Sequence, residues 1–548
     1  MFSFVYHNSK NCIGFILLIL ALSLISTIVE IVYPSFISFF IDQFIIDKKA
    51  NNLLLFVVFI IGISVLSLIS MFVSEVLTVK LSITQSVNIY RFIIYRLVNK
   101  DCVTVERFDK SYLAKRIYSD VQQLSNFVIG SLFDFAINSL YLFGSIFFIY
   151  KQGFFWLIFF ALIIALYSIL YNFFRKRVIT ISKSMVESES VFFSSIFLYL
   201  KHLKQIKIHD IQSVFDNNLN KNQLAFYNVC TQHSKFRFYF SRSKNILNYI
   251  ITSFLFISVG YNITNSELSA GAFVALSGYY GLGLSSVGVF FNLSQNYFLT
   301  KVCYERIQEL INLEEDPIST NSNLSFKEFN IVLKNVAFKY PDSKQYLFRN
   351  FNYKFCPGRI YLIVGDNGRG KSTLINLLIG LFACSEGDII VSGHNFNNIN
   401  LPDFRYNYVS YMEQFPFILP LSIRDNITLF RNHRSYNSKV VSELSNRLLT
   451  PDLLNSQSET ELENSLSGGE KQKISFIRTM SKDLPFIILD EPTTSVDSDT
   501  RMYMADYINS IHSNRVVIII SHDESFIKEI NNYEVINLNI LIGKEYNH

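Results

Sequence analysis

The chain has 548 residues, 50% of them hydrophobic and only 17% charged, against about 25% charged in an average soluble protein. Fifty-three Phe, 31 Tyr and a mean hydropathy of +0.27 exclude a disordered, collagen-like or small disulfide-stapled protein. The formal charge of +5 is small for this length and gives no reason to expect a nucleic-acid partner.

The first 312 residues read as a membrane domain. Six apolar runs, at about 11–41, 53–77, 127–150, 153–174, 246–264 and 270–298, are each long enough to cross a bilayer. Each is expected to be helical, because lipid offers no partner to unpaired backbone groups. The first run is too long for the apolar part of a cleavable signal, and no small-residue cleavage site follows it. The loops 80–125 and 175–245 are long and rich in Lys and Arg, whereas the other loops are short and carry few. The positive-inside rule places both long loops and both termini in the cytoplasm. Apolar periodicity persists in those loops, as in 112–118, so they are expected to be solvated helices reaching past the bilayer, not RNA-binding arms. Glu30, Glu75 and Asp134 are the acids inside the spans. Glu75 lies near a span end; Glu30 and Asp134 fit a substrate path and an inter-helix hydrogen bond equally well. The six cysteines (Cys12, Cys102, Cys230, Cys303, Cys356, Cys384) lie far apart without metal-ligand spacing and are expected to be isolated thiols.

Residues 313–328 are polar and read as a linker, and 329–548 as a soluble α/β domain. The short apolar strand 361–364 runs into Gly365-Asp366-Asn367-Gly368-Arg369-Gly370-Lys371-Ser372-Thr373 and then into a helix. This is GxxxxGK[ST] between strand and helix. Its glycines let the backbone curl around phosphates, with N–H groups and a helix N-terminus facing the negative charge. Lys371 is expected to reach the β- and γ-phosphates and Ser372 the Mg²⁺. A second apolar strand, 486–489, ends in Asp490-Glu491. Asp490 at that strand end can hold Mg²⁺ through its water shell, and Glu491 can orient or deprotonate the attacking water.

The segment Leu466-Ser467-Gly468-Gly469-Glu470, ahead of Asp490, resembles the signature motif of ATP-binding cassette (ABC) transporters. The whole chain resembles a half-size ABC exporter. That resemblance implies an all-α six-helix transmembrane domain followed by an α/β P-loop ATPase domain. It also implies that Tyr340 stacks on adenine and that Gln414 senses both Mg²⁺ and the membrane domain. Asp497 would lie in the loop crossing between two ATPase domains, and His522 would contact the γ-phosphate. Ser467, Gly468 and Gly469 would cover the ATP of an opposite subunit. One chain offers one phosphate loop and one signature, so a second copy is expected as partner, most simply in a C₂ homodimer, with a heterodimer still open. The implied catalytic set is Glu491, His522 and Gln414. The nucleotide set is Tyr340, Gly365, Asn367, Gly368, Gly370, Lys371, Ser372, Thr373, Ser467, Gly468, Gly469 and Asp497, and the metal set is Ser372, Gln414 and Asp490.

In the membrane half, 108–121 resembles the first coupling loop of exporters, 204–215 the segment leading to the second, and 267–274 the start of their sixth span. Two departures stand out. The stretch 458–465 lacks the Gly-Glu-x-Gly that exporters carry before the signature, and Asp523 follows the switch histidine where multidrug members have Arg. The second variant resembles exporters of small cyclic or modified peptides and microcins.

The expected function is ATP-driven export across the bacterial cytoplasmic membrane by alternating access. The expected cargo order is a small peptide or bacteriocin-like compound, then a lipid or lipid-linked glycan, then drugs. A membrane-anchored regulatory ATPase and an anchored P-loop kinase are the rival readings. The intact Glu491 and His522 speak against the first, and the signature segment against the second.

Overall fold

The computed structural model describes residues 1–7, 13–46, 53–264, 268–315, 328–340, 343, 345–429, 436–451, 453 and 466–539. The chain divides into two compact units, Met1–Asn99 with Glu106–Leu313, and Lys100–Val105 with Glu314–His548.

The first unit is all helix. It comprises α1 (Phe2–His7), α2 (Ile13–Phe40, continued by a π-turn over Ile41–Ile46), α3 (Leu53–Val98), α5 (Lys110–Gln152), α6 (Phe154–Lys201), α7 (Leu203–His209), α8 (Gln212–Thr264) and α9 (Ala270–Ile311). At 1.5 Å per residue the 46 residues of α3 span roughly 70 Å, more than twice the hydrocarbon thickness of a bilayer. The basic loops expected at 80–125 and 175–245 are thus largely continuations of the spanning helices. Among the described residues, five helices are long and apolar enough to cross a membrane. The remaining expected run, the fifth at 246–264, is the C-terminal part of α8, whose remainder is polar.

Local chemistry sets the helix ends. Asp109 caps α5 by accepting from the Ser111 and Tyr112 N–H groups, and Ser269 caps α9 by accepting from Ala272 N–H. The helices pair α5 with α9, α6 with α8, and α2 with α3. Ile149, Phe160, Tyr167, Tyr279 and Tyr280 make the buried heart of the first unit. Glu30 is an inter-helix acceptor, taking the hydroxyl of Tyr141 on α5 at 2.5 Å. In the part of the unit beyond the apolar spans, Asp120 pairs with Arg306 at 3.1 Å, and Arg116 pairs with Glu309.

The second unit contains two sheets. One is antiparallel, in the order β2-β1-β4-β5, from β1 (Ile331–Phe338), β2 (Phe348–Phe355), β4 (Glu386–Val391) and β5 (His394–Asn395). The other is parallel, in the order β6-β7-β8-β3-β9, from β3 (Arg359–Val364), β6 (Val409–Met412), β7 (Phe486–Asp490), β8 (Val516–Ile520) and β9 (Tyr533–Asn537). The parallel strands are near-continuous apolar runs because both faces are covered. One face meets the antiparallel sheet and the helix after β3 through Phe355, Tyr361, Leu374 and Ile518. The other meets helices through Ile474, Phe476, Met504 and Leu444.

The short helix α4 (Cys102–Glu106) starts within this second unit. Lys100 bonds Glu315 at 3.0 Å, and Cys102 and Val103 pack against the unit's core. The stretch 108–121, likened to a coupling loop, is mostly the start of α5. Most of the linker expected at 313–328, and the segment 458–465, lie outside the described residues. Among the described residues Cys230, Cys303, Cys356 and Cys384 are free thiols.

Candidate nucleotide site

Three neighbouring parallel strands, β7, β8 and β3, end side by side, and the chemistry-bearing residues follow their C-terminal ends. That edge is where ligands bind in open α/β sheets. β3 ends at Val364, the phosphate loop turns through Gly365–Gly370, and α10 (Lys371–Leu378) begins at once. Gly370 has φ +86°, and a Cβ there would stand 2.7 Å from the Phe348 ring and 2.8 Å from Leu347. Only glycine fits that turn. Lys371 folds back over the loop, its Nζ donating to Gly365 O at 2.6 Å and lying 3.1 Å from His522 Nε2.

Asp490 ends β7, which does not pair with the phosphate-loop strand β3: β8 lies between them. The consequence is chemical. His522 follows β8 and so stands between Lys371 and Glu491, with its Nε2 3.9 Å from Glu491 Oε1 and its N–H donating to Glu491 Oε2 at 3.4 Å. Glu491 itself sits at φ +50°, a left-handed conformation that costs a non-glycine residue roughly 1–2 kcal/mol. Its N–H donates to Ile520 O at 2.8 Å, and its carbonyl accepts from Gln472 Nε2 at 2.8 Å. These bonds from two sides hold the strained backbone and aim the carboxylate at the strand ends.

Asp490 is 6% exposed. Burial, then the Glu491 charge, pushes its carboxyl up to about 6, with Lys371 pulling the other way. A buried carboxylate short of positive charge fits a divalent cation. With the exposed Ser372 on the first turn of α10, the donor set is all oxygen, as Mg²⁺ requires. Tyr340 reaches the same loop from β1's end, its hydroxyl 2.8 Å from Thr373 Oγ1 and its ring half-exposed against Phe338 and Phe382.

The signature turn is built separately. Ser467 caps the helix Gly468–Ser481 in a capping box with Glu470. The box occupies the N–H groups of Ser467 and Glu470, and those of Gly468 and Gly469 remain as early helix donors. A Cβ on Gly469 would stand 2.6 Å from Ser495 O, so the turn lies flush against the loop that carries Asp497. Asp497 caps the helix Ser498–Ile511, and Lys473 donates to it at 3.3 Å. The Thr500 N–H foremost holds its carboxyl down to about 2. Among the described residues no hydrogen bond joins Ser467, Gly468 or Gly469 to the phosphate loop. Gln414, just past β6, is exposed.

Sequence reading missed the residues that hold this frame. Arg478 is buried, with burial pushing its guanidinium down to about 10. It donates to Asn426 O at 2.7 Å and Phe417 O at 3.0 Å and lies over the Phe417 ring, tying the Gln414 segment to the signature helix. The buried Asn426 side chain bonds Leu419 through both its oxygen and its nitrogen. The legible signal was the single charge in the otherwise uncharged stretch Ile474–Met480.

Comparison with known proteins agrees with this architecture. Residues 348–494 match the ABC transporter family, and residues 16–307 match the ABC transporter transmembrane region. An export ATP-binding/permease protein of Rickettsia bellii (strain RML369-C) is 27% identical over 455 residues, covering 80% of this chain and 77% of that protein. The ATP-dependent lipid A-core flippase of Escherichia coli (strain K12) is 27% identical over 220 residues, 39% of this chain and 38% of the flippase. The solved structure of a bacterial Atm1-family ABC exporter with ATP bound shares the fold, with a TM-score of 0.85 and 15% identity over 96% of this chain and 94% of that one. The chain belongs to the ABC transporter family, as a half-size exporter whose ATPase activity is coupled to transport.

Proposed function

We propose that two copies of this chain pair to form two ATP sites, each taking its phosphate loop from one copy and its signature turn from the other. The observation that carries this reading is a separation. Lys371, His522 and Glu491 are gathered at one sheet edge, while Ser467–Gly469 is tied back to Ser495 and Asp497.

In this reading the phosphate loop and Lys371 bind the β- and γ-phosphates, and Tyr340 stacks on the base. Ser372 and Asp490 hold Mg²⁺, which supplies neutralisation of phosphate charge when bound. Glu491 takes the proton of the attacking water, His522 orients the γ-phosphate, and Gln414 reports its arrival to the membrane unit. The Gly468 and Gly469 N–H groups receive the partner's ATP. Six spans, with 246–264 counted as the fifth, cross the cell's inner membrane and place both termini in the cytoplasm. Closure of the paired ATPase units turns the cavity outward.

The cargo is amphipathic. The small peptide expected first leans on Asp523, but that residue has a structural occupation. It caps the helix Glu524–Glu529, accepts from Thr493 at 3.1 Å and pairs with Arg501 at 3.3 Å. Likeness to a lipid A-core flippase supports the lipid-linked class instead.

Co-expressing a Lys371→Ala chain with a Gly468→Asp chain tests the shared site. Each variant alone is expected to be inactive, and the mixed dimer to recover part of the turnover through its one intact site. Full-rate hydrolysis by a strict monomer, or no recovery on mixing, refutes the reading.

A further inference from the structure

The membrane unit carries chemistry that the ATP cycle does not use. Between α5 and α9 runs a groove of about 450 Å³, within the size range of small-molecule sites. Gln122, Gln123, Asn126 and Asp134 line it from α5, and Asn296 and Thr300 from α9. Thr300 is fully buried, and its hydroxyl has no hydrogen-bond partner among the described residues. A buried hydroxyl left unpaired costs roughly 1–3 kcal/mol. The same face of α9 stays small or polar further along, where Ser277, Gly281, Ser285, Asn292 and Asn296 are all exposed. The exposed face of α3 is the opposite, with Leu54, Val58, Ile61, Val65 and Phe72 as a lipid-facing helix requires.

The lining selects a chemistry. Amides and hydroxyls both donate and accept, as does a sugar hydroxyl, and a carboxylate accepts from two hydroxyls at once. No Lys or Arg lines the groove, so a phosphate or carboxylate would meet Asp134 without a counter-charge. Phe127 lines one wall, its ring 6.4 Å from that of Tyr297, and offers an apolar face to a ring's C–H groups. A peptide would bring apolar side chains for which the groove has only Phe127 and Leu293.

Position adds the second half of the ligand. The groove straddles the start of the span expected over 127–150, where lipid head groups lie. Further along α9, beside Val274 and Leu282, an apolar groove of about 710 Å³ runs between α2, α3 and α9 past Val29, Ile37 and Leu68. We infer that the α5–α9 groove binds the uncharged sugar head group of a lipid-linked cargo. This rests on the export reading above and deepens it by naming the head group.

The test uses the full-length protein in phosphatidylglycerol vesicles. Mg-ATP turnover is measured with the vesicles alone, doped with diglucosyl diacylglycerol, with free maltose, and with an uncharged amphipathic peptide. The glycolipid raises turnover, and maltose and peptide do not. Asn296→Ala, and separately Asn126→Ala, shift the half-maximal glycolipid concentration upward about tenfold, as one lost hydrogen bond to the ligand predicts. No stimulation by the glycolipid, stimulation by the peptide or maltose instead, or unshifted concentrations in both folded variants overturns the inference. Glu491→Gln protein, run in parallel, keeps the two readings apart. Turnover at the wild-type rate there removes the export mechanism, whatever the cargo arms show.

Discussion

Lys371 Nζ stands 3.1 Å from His522 Nε2, and because an ammonium has no lone pair, the histidine nitrogen must be the acceptor. Nε2 of His522 thus shares one space with the Lys371 ammonium, at the strand ends where the proposed phosphate would lie. His522→Ala should lower kcat by about 10²–10³-fold while ATP still binds, since Lys371 and the phosphate loop remain. Lys371→Ala should lose binding itself. Steady-state turnover beside equilibrium binding of a fluorescent nucleotide separates the two, and equal loss of affinity in both variants contradicts the assignment.

Asp490 titrates near 6 in the folded chain, above the ordinary carboxylate value of about 4. The folded state binds the extra proton, so this group's contribution to stability is complete below about pH 4 and is lost as pH rises through about 6. Above that the ionised carboxylate costs roughly 3 kcal/mol. Without Mg²⁺, Asp490→Asn should therefore raise the thermal midpoint at pH 7.5 and raise it much less at pH 4.5, while turnover is abolished. Equal gains at both pH values would place the strain elsewhere.

The two signature glycines should part company. An Ala at Gly469 would meet Ser495 O at 2.6 Å, whereas one at Gly468 finds its nearest neighbour at an ordinary 3.4 Å. Gly469→Ala should lower stability by about 1–3 kcal/mol, read by chemical denaturation of the purified chain. Gly468→Ala should leave the denaturation midpoint in place and, under the proposed shared site, still lose turnover, because the added methyl would crowd a nucleotide held by the second copy.

Removing Arg478 strands the carbonyls of Asn426 and Phe417, each at about 1–3 kcal/mol when buried and unpaired. Arg478→Leu should unfold at clearly lower temperature, and protease should cut near Gln414 sooner than in the wild type. Arg478→Lys should recover only part, because a single ammonium cannot span both carbonyls and the Phe417 ring. Unchanged proteolysis would show that the Gln414 segment is held by something else.

Tyr340 offers a ring and a hydroxyl with separable roles. Tyr340→Phe loses the bond to Thr373, worth about 1 kcal/mol of stability, and should keep its KM for ATP. Tyr340→Ala should raise that KM several-fold. A KM that rises equally in both variants would mean the hydroxyl, and not the ring, serves the nucleotide.

Pattern in the chain was enough to locate the phosphate loop, the Asp490-Glu491 strand end and the signature turn. Each depends on a few adjacent residues whose conformation local chemistry dictates: glycines where φ is positive, an acid after an apolar strand, a capping serine ahead of a glutamate. The apolar runs were legible for the same reason, since a bilayer demands continuous length. The order β6-β7-β8-β3-β9 was not legible, because strands of equal apolarity carry no label naming their neighbours. It is that order which slips β8 between β7 and β3 and lodges His522 between Lys371 and Glu491. Arg478 and the α5–α9 groove were hidden likewise. A single arginine in an uncharged stretch of helix, or amides spread over two helices, acquires meaning only when residues far apart in the chain are folded side by side and must satisfy one another's hydrogen bonds.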